Sequence, residues 1–290
     1  MIFFCIYSIA GQRINVYGGE LNHIAGFSKF LVEEIASDAL LSIYLGETLT
    51  NWDIDILYDF VLEDSTPCHF TRKGNVWFFR MMPSKGAPLL VEIHHEDGRF
   101  RAITNINLHT DSYLLRFGVW MAFGVAAAHR HVTSVHASTI THSGKSILFL
   151  GESGTGKSTH TSLWLKHIPG SSLLNDDSPF MRTQPELRVC GSPWSGKTPC
   201  FKNEETPVAA IVRLRQAPKN EIVKLDRRTS IGALLPSCPP CFAYDEILAN
   251  MIHSMISDIL QQVPVYSLAC LPDADAARLV YSSLKDDGRL

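Results

Sequence analysis

A chain of 290 residues, 46% apolar and 19% charged, has the composition of a soluble globular protein with room for one large domain or two unequal ones. Its 26 basic and 29 acidic residues nearly cancel, with no block of like charge. That argues against a nucleic-acid surface or a basic membrane patch as the site of action. Seven scattered cysteines, an odd number, do not suggest a disulfide framework and point to a reducing cytoplasm.

The chain opens on an apolar run, MIFFCIYSIAGQRINVY, whose first basic residue is Arg13. A secretory signal places its basic residues ahead of the apolar part, and the run is too short to span a bilayer. It reads as a buried or edge strand. No other stretch approaches transmembrane length, so no membrane partner is expected. Short strand-like runs follow at Asn75–Met81, Leu89–Glu92 and Phe100–Thr104, with one helical stretch at Phe27–Ala36. Residues 1–110 therefore read as a small α+β domain. A long apolar helix from Tyr113 to His131 fills the linking segment 111–131.

From residue 132 strands and helices alternate, as in an α/β domain running to residue 290. Strand candidates are VTSVHAS, SILFL, SSLLNDD, Glu186–Cys190, Ala209–Leu214, Glu221–Leu225 and VPVYSLAC. Helix candidates are STHTSLWLKH, the amphipathic Phe242–Val263 and the short Ala274–Leu284.

Between SILFL and STHTSLWLKH stands GESGTGKS, which fits the phosphate-loop pattern G-x-x-x-x-G-K-[ST] and has a strand before it and a helix after it. Glycines at 151, 154 and 156 let the backbone curl so that its N–H groups face phosphate oxygens, and the helix N-terminus adds partial positive charge. The nucleotide-contacting set is Gly151, Glu152, Ser153, Gly154, Thr155, Gly156, Lys157, Ser158 and Thr159. Lys157 would reach the β- and γ-phosphates, and the Ser158 hydroxyl would be a ligand for Mg²⁺. Guanine-specific N-K-x-D and the transporter signature L-S-G-G-Q are both missing.

SSLLNDD ends in Asp176 and Asp177. Adjacent carboxylates at a strand end can divide labour, one at a metal and one accepting a hydroxyl proton. His136, in VHAS, closes the preceding strand and is expected within reach of Asp176.

VHAS, GESGTGKST and NDDSP together resemble the HPr kinase/phosphorylase family over residues 130–285. Those bacterial serine kinases have a phosphate-loop catalytic domain related to phosphoenolpyruvate carboxykinase. The resemblance implies that fold here, beside the smaller N-terminal α+β domain. It makes Asp176 the catalytic base with His136 as its partner, Lys157 the phosphate contact, and Ser158 with Asp177 the metal side. Beyond the aspartates the family carries L-E-I-R-G-L-G, whose acid is associated with metal. This chain has LRVCGSPWSGK there, with no acid, which points to a divergent member.

GSPWSGKT, residues 191–198, fits the same phosphate-loop pattern letter for letter. Pro193 and Trp194 occupy positions where a phosphate cradle needs permissive residues, Pro199 follows Thr198, and no helix comes after. It reads as an acceptor-side loop in which Lys197 presents charge and Trp194 forms a wall. Arg213 and Arg215 lie on the next strand, and one of them, Arg213 being the candidate, could face a phosphate. CPPC, at Cys238–Cys241, lies before the long helix without a second pair to complete a zinc site.

The sequence thus predicts an ATP- and Mg²⁺-dependent kinase that phosphorylates a hydroxyl, either a serine of a protein or peptide or a small alcohol. A nucleotide-binding regulator without turnover is the alternative, motivated by the missing acid. Carboxykinase-like chemistry would need further Lys and His ligands that the sequence does not identify. A homo-oligomer is compatible with the sequence.

Overall fold

The computed structural model describes residues 4–33, 38–49 and 55–290. These form a mixed α/β chain with two large mixed sheets. The chain divides into two units: residues 1–130 with 241–250, and residues 131–240 with 251–290. Among the described residues no helix is long and apolar enough to cross a membrane.

The first unit contains β1 (Phe4–Ile9), β2 (Gln12–Tyr17), β3 (Leu31–Val32), β4 (Leu41–Tyr44), β5 (Tyr58–Val61), β6 (Pro67–Lys73), β7 (Val76–Met81), β8 (Leu89–Glu96) and β9 (Arg99–Thr104). Their order in the sheet is β3-β1-β2-β4-β9-β8-β7-β6-β5. In β7 every second residue is buried, with Trp77, Phe79 and Met81 turned inward. This period of two marks a strand with one covered face. Helix α1 (Ser112–Ala128) packs on β4, β7, β8 and β9. Asp111 caps it by accepting from the amides of Tyr113 (2.9 Å) and Leu114 (3.4 Å).

Three expectations change here. The run beginning at Phe27 is a 3-10 turn, Phe27–Phe30, followed by β3, where a helix to Ala36 was predicted; residues 34–36 lie outside the described residues. Pairing of Leu31 and Val32 with Tyr7 and Ile6 on β1 overrides the helical pattern. The apolar helix at 112–128 folds with the first unit and is not a separate linker. Residues 241–250 also return to that unit. There the buried Asp245 takes a hydrogen bond from Arg72 Nε, while its other oxygen accepts from Leu248 N at 2.9 Å.

The second unit holds β10 (Val132–Ser134), β11 (Ala137–His142), β12 (Lys145–Leu150), α2 (Lys157–His167), β13 (Ser171–Asp177), β14 (Phe180–Arg182), β15 (Arg188–Cys190), β16 (Glu205–Gln216), β17 (Glu221–Lys224) and α3 (Arg227–Leu234). After α4 (Glu246–Gln262), which runs from the first unit into the second, come β18 (Val265–Cys270) and α5 (Ala274–Asp286). The sheet runs β10-β14-β15-β16-β12-β11-β13, with β18 also on β16 and β17 on β18. It branches because β16 is long. Its first residues pair with β15, and the stretch beyond pairs with β12 and β18.

Strand direction positions the chemistry. β12, β16 and β18 are mutually parallel, and β11 is antiparallel to both β12 and β13. The carboxyl ends of β12, β13, β16 and β18 therefore share one edge, where open α/β sheets hold their ligands. Below it, Ile140, Ile147, Phe149, Trp164, Val212, Leu268, Val280 and Leu284 form the core, with α2 and α5 packed together.

Candidate functional site

The fully buried end of β12 leads into the turn Gly151–Gly156. Gly154 (φ +79°) and Gly156 (φ +104°) adopt backbone conformations that L side chains rarely tolerate, and a Cβ added at either would meet nothing within 4 Å. Open space therefore lies beside the curled backbone. Helix α2 starts from Gly156 with no side chain capping its first amides, so those donors remain available for an anion. Glu152, Ser153 and Thr159 are exposed around this space, and Thr155 Oγ1 donates to Glu152 O at 2.6 Å.

Lys157 is 9% exposed and folds back on the turn, its Nζ donating to Gly151 O at 2.8 Å and to Glu152 O at 3.2 Å. Burial pulls its pKa down, and the charges of Asp177 and Asp176 oppose that shift. Arg213 lies in register with Leu150, donates to Ala233 O at 2.9 Å and sits 3.9 Å from Glu152 Oε1. Gln216, which sequence reasoning missed, donates to Gly154 O at 3.3 Å. No local pattern announces it. Only its place at the end of β16 brings it to the turn.

At the end of β13, Asp177 pairs in register with Ala137, and Ala137 pairs with Leu150 on its other side. The two acids, the residue after His136 and the start of the glycine turn thus occupy neighbouring rungs. Asp176 is only 3% exposed; it accepts from Ser158 Oγ at 3.0 and 3.1 Å and from Thr198 N at 3.2 Å. Asp177 has φ +121° and a side chain 46% exposed. His136 Nε2 lies 3.5 Å from Asp177 Oδ1, and Ser178 Oγ donates to Asp177 Oδ2 at 3.2 Å. The expected pairings are therefore exchanged: Ser158 meets Asp176, and His136 meets Asp177. Successive strand residues point to opposite sides, so adjacency in the chain does not tell which acid faces which partner.

The stretch Gly191–Thr198 lies against β13. Gly196 N and Ser195 Oγ both donate to Asp176 O, the latter at 3.1 Å, and Ser195 forms a β-bridge with Asp177. Its glycines serve close approach: a Cβ on Gly191 would lie 2.0 Å from Lys202 O, and one on Gly196 3.0 Å from Asp177 Cβ. Trp194 is buried, with its ring 5.7 Å from that of Phe180, so it is a core residue and not an acceptor wall. Lys197 is exposed next to the pinned segment.

Two further groups are structural. His160 on α2 is buried, accepts from Trp164 Nε1 at 3.2 Å, and is pushed by desolvation down to about 4. Cys238 and Cys241 are free and buried, and burial pushes each thiol up to about 12, away from the reactive thiolate.

Among the described residues no three or more His, Cys, Asp or Glu side chains gather into a metal-binding cluster. Ser158 and Asp176 nevertheless form a hydroxyl–carboxylate pair, an oxygen donor set of the kind that suits a hard cation. No family model matches the chain, and a search of curated proteins finds no match.

Proposed function

We infer that the chain is an ATP- and Mg²⁺-dependent phosphotransferase acting on a hydroxyl acceptor, within a phosphate-loop, HPr-kinase-like second unit. One observation carries the reading. The hydroxyl that follows Lys157 at the start of α2 touches the buried acid at the end of β13, while the next acid, half-exposed, stands beside a histidine. A metal-side pair and a proton-side pair are thereby separated on consecutive residues.

The turn amides and the α2 N-terminus would hold the phosphates, and Lys157 would exchange the carbonyls of Gly151 and Glu152 for phosphate oxygens. Ser158 and Asp176 would hold Mg²⁺, which when bound offsets charge on the transferring phosphoryl group. Asp177, with His136 beside it, accepts the proton of the acceptor hydroxyl as its oxygen bonds to the γ-phosphorus and ADP leaves. These roles exchange the two acids relative to those implied by the family resemblance.

Transfer of γ-labelled phosphate from MgATP, to water and to acceptors in a cell extract, tests the assignment. Asp177→Asn should keep MgATP affinity and slow transfer about 10²–10⁴-fold. Asp176→Asn should instead remove the dependence of ATP binding on Mg²⁺. A wild-type protein that binds MgATP and transfers phosphate to nothing would be the nucleotide-binding regulator.

A further inference from the structure

Asn175, directly before the two acids, is fully buried. Its Nδ2 donates to Trp194 O at 2.9 Å and lies 3.3 Å from Ser192 Oγ, 3.4 Å from Ser192 O and 3.4 Å from Cys200 O. Its Oδ1 accepts from Ser178 N at 3.0 Å, just beyond the acids. Ser192 completes the arrangement, its Oγ donating to Ser178 O at 2.6 Å and to Trp194 O at 2.9 Å. One amide thus fastens both flanks of the 191–200 segment to β13 and restrains the backbone that follows Asp177.

The burial makes these bonds consequential, because a polar group withdrawn from water has no substitute partner when its own is lost. An apolar side chain at 175 would remove this amide's bonds to the carbonyls of Ser192, Trp194 and Cys200 from the interior. The segment would then depend on the bonds of Gly196 N and Ser195 Oγ to Asp176 O, and the Thr198 amide would hold Asp176 less firmly. Asn175 touches none of the proposed reacting atoms itself.

We propose that Asn175 is a positioning residue that locks the Gly191–Cys200 segment onto β13 and so sets the geometry of Asp176 and Asp177. Its catalytic consequence rests on the phosphotransfer reading above, whereas the locking does not.

The test uses full-length wild type, Asn175→Ala and Ser192→Ala, with two measurements. Tryptic cleavage after the exposed Lys197, followed by mass spectrometry without nucleotide, reports the lock. It should speed up about fivefold or more in Asn175→Ala. Steady-state MgATP hydrolysis reports positioning: kcat should fall about 10–100-fold while KM for MgATP stays within about twofold. An unchanged cleavage rate would overturn the proposal. Faster cleavage with unchanged kcat would overturn the positioning role. If wild type transfers phosphate from MgATP neither to water nor to any acceptor in a cell extract, the phosphotransfer reading fails and cleavage alone decides the lock; if it transfers only to an acceptor, kcat is read from that transfer. Ser192→Ala, which leaves Asn175 in place, should shift both measurements the same way and carries the test if Asn175→Ala does not fold.

Discussion

Residues 151–158 and 191–198 obey the same eight-letter pattern and fold into unlike objects. In the first, Gly154 and Gly156 take positive φ beside open space, and a helix starts at the lysine. In the second, Gly191 and Gly196 are small because backbone and Cβ atoms crowd them, and the lysine points outward from a segment bonded to β13. A glycine that frees a dihedral angle and a glycine that makes room look alike in a motif. What separates them is whether an added Cβ would meet nothing or would meet a carbonyl.

The largest expected contrast is between the two motif lysines. Lys157→Ala should reduce phosphate transfer about a thousandfold, as loss of a preorganised charge contact does. Lys197→Ala should leave MgATP affinity within about twofold, since no helix or open cradle accompanies that lysine. Equal losses in the two variants, measured by titration and turnover, would erase the distinction between the stretches.

Acid should loosen the first stretch through the helix it leads into. The folded pKa of His160, about 4, lies below its ordinary 6.5, so the unfolded chain takes up the proton first. Its contribution is full above pH 6.5 and is lost as pH falls, amounting to about 3 kcal/mol by pH 4. Chemical denaturation across that range should show a shallower decline in His160→Gln than in wild type.

Gly191→Ala probes the second stretch as packing. The clash with Lys202 O should cost about 2 kcal/mol, read as a lower Tm, with nucleotide affinity of the folded fraction unchanged. Gly156→Ala should reverse that order, weakening nucleotide binding more than stability.

These contrasts also mark what could be read ahead of the structure. The course from β12 through the turn to α2 was legible because a buried apolar strand, spaced glycines and a helix former follow one another locally. The strands around His136 were legible only in part: VTSVHAS reads as one strand, whereas the strand breaks at Val135 and His136, and β11 begins at Ala137 and pairs with β12 from Ala137 and Leu150 to His142 and Lys145. The partners of the two acids were not, because they depend on which face each side chain takes at the strand end and on the positive φ at Asp177. Trp194 was misread because burial against Phe180 is a tertiary fact. Helix α3 was missed although Asp226 caps its start by accepting from Thr229 N, and the return of residues 241–250 to the first unit left no local signature.

Strand β11 lies between the strand that feeds the glycine turn and the strand that carries the acids. The edge therefore has a ruler built into it: Asp177, Ala137, Leu150 and Arg213 stand in successive columns, each step about 4.8 Å. Point substitution cannot stretch such a ruler, because its graduations are backbone hydrogen bonds. Divergence toward a bulkier or smaller ligand would have to be written in the loops above the edge, with the spacing between glycine turn and acids inherited unchanged.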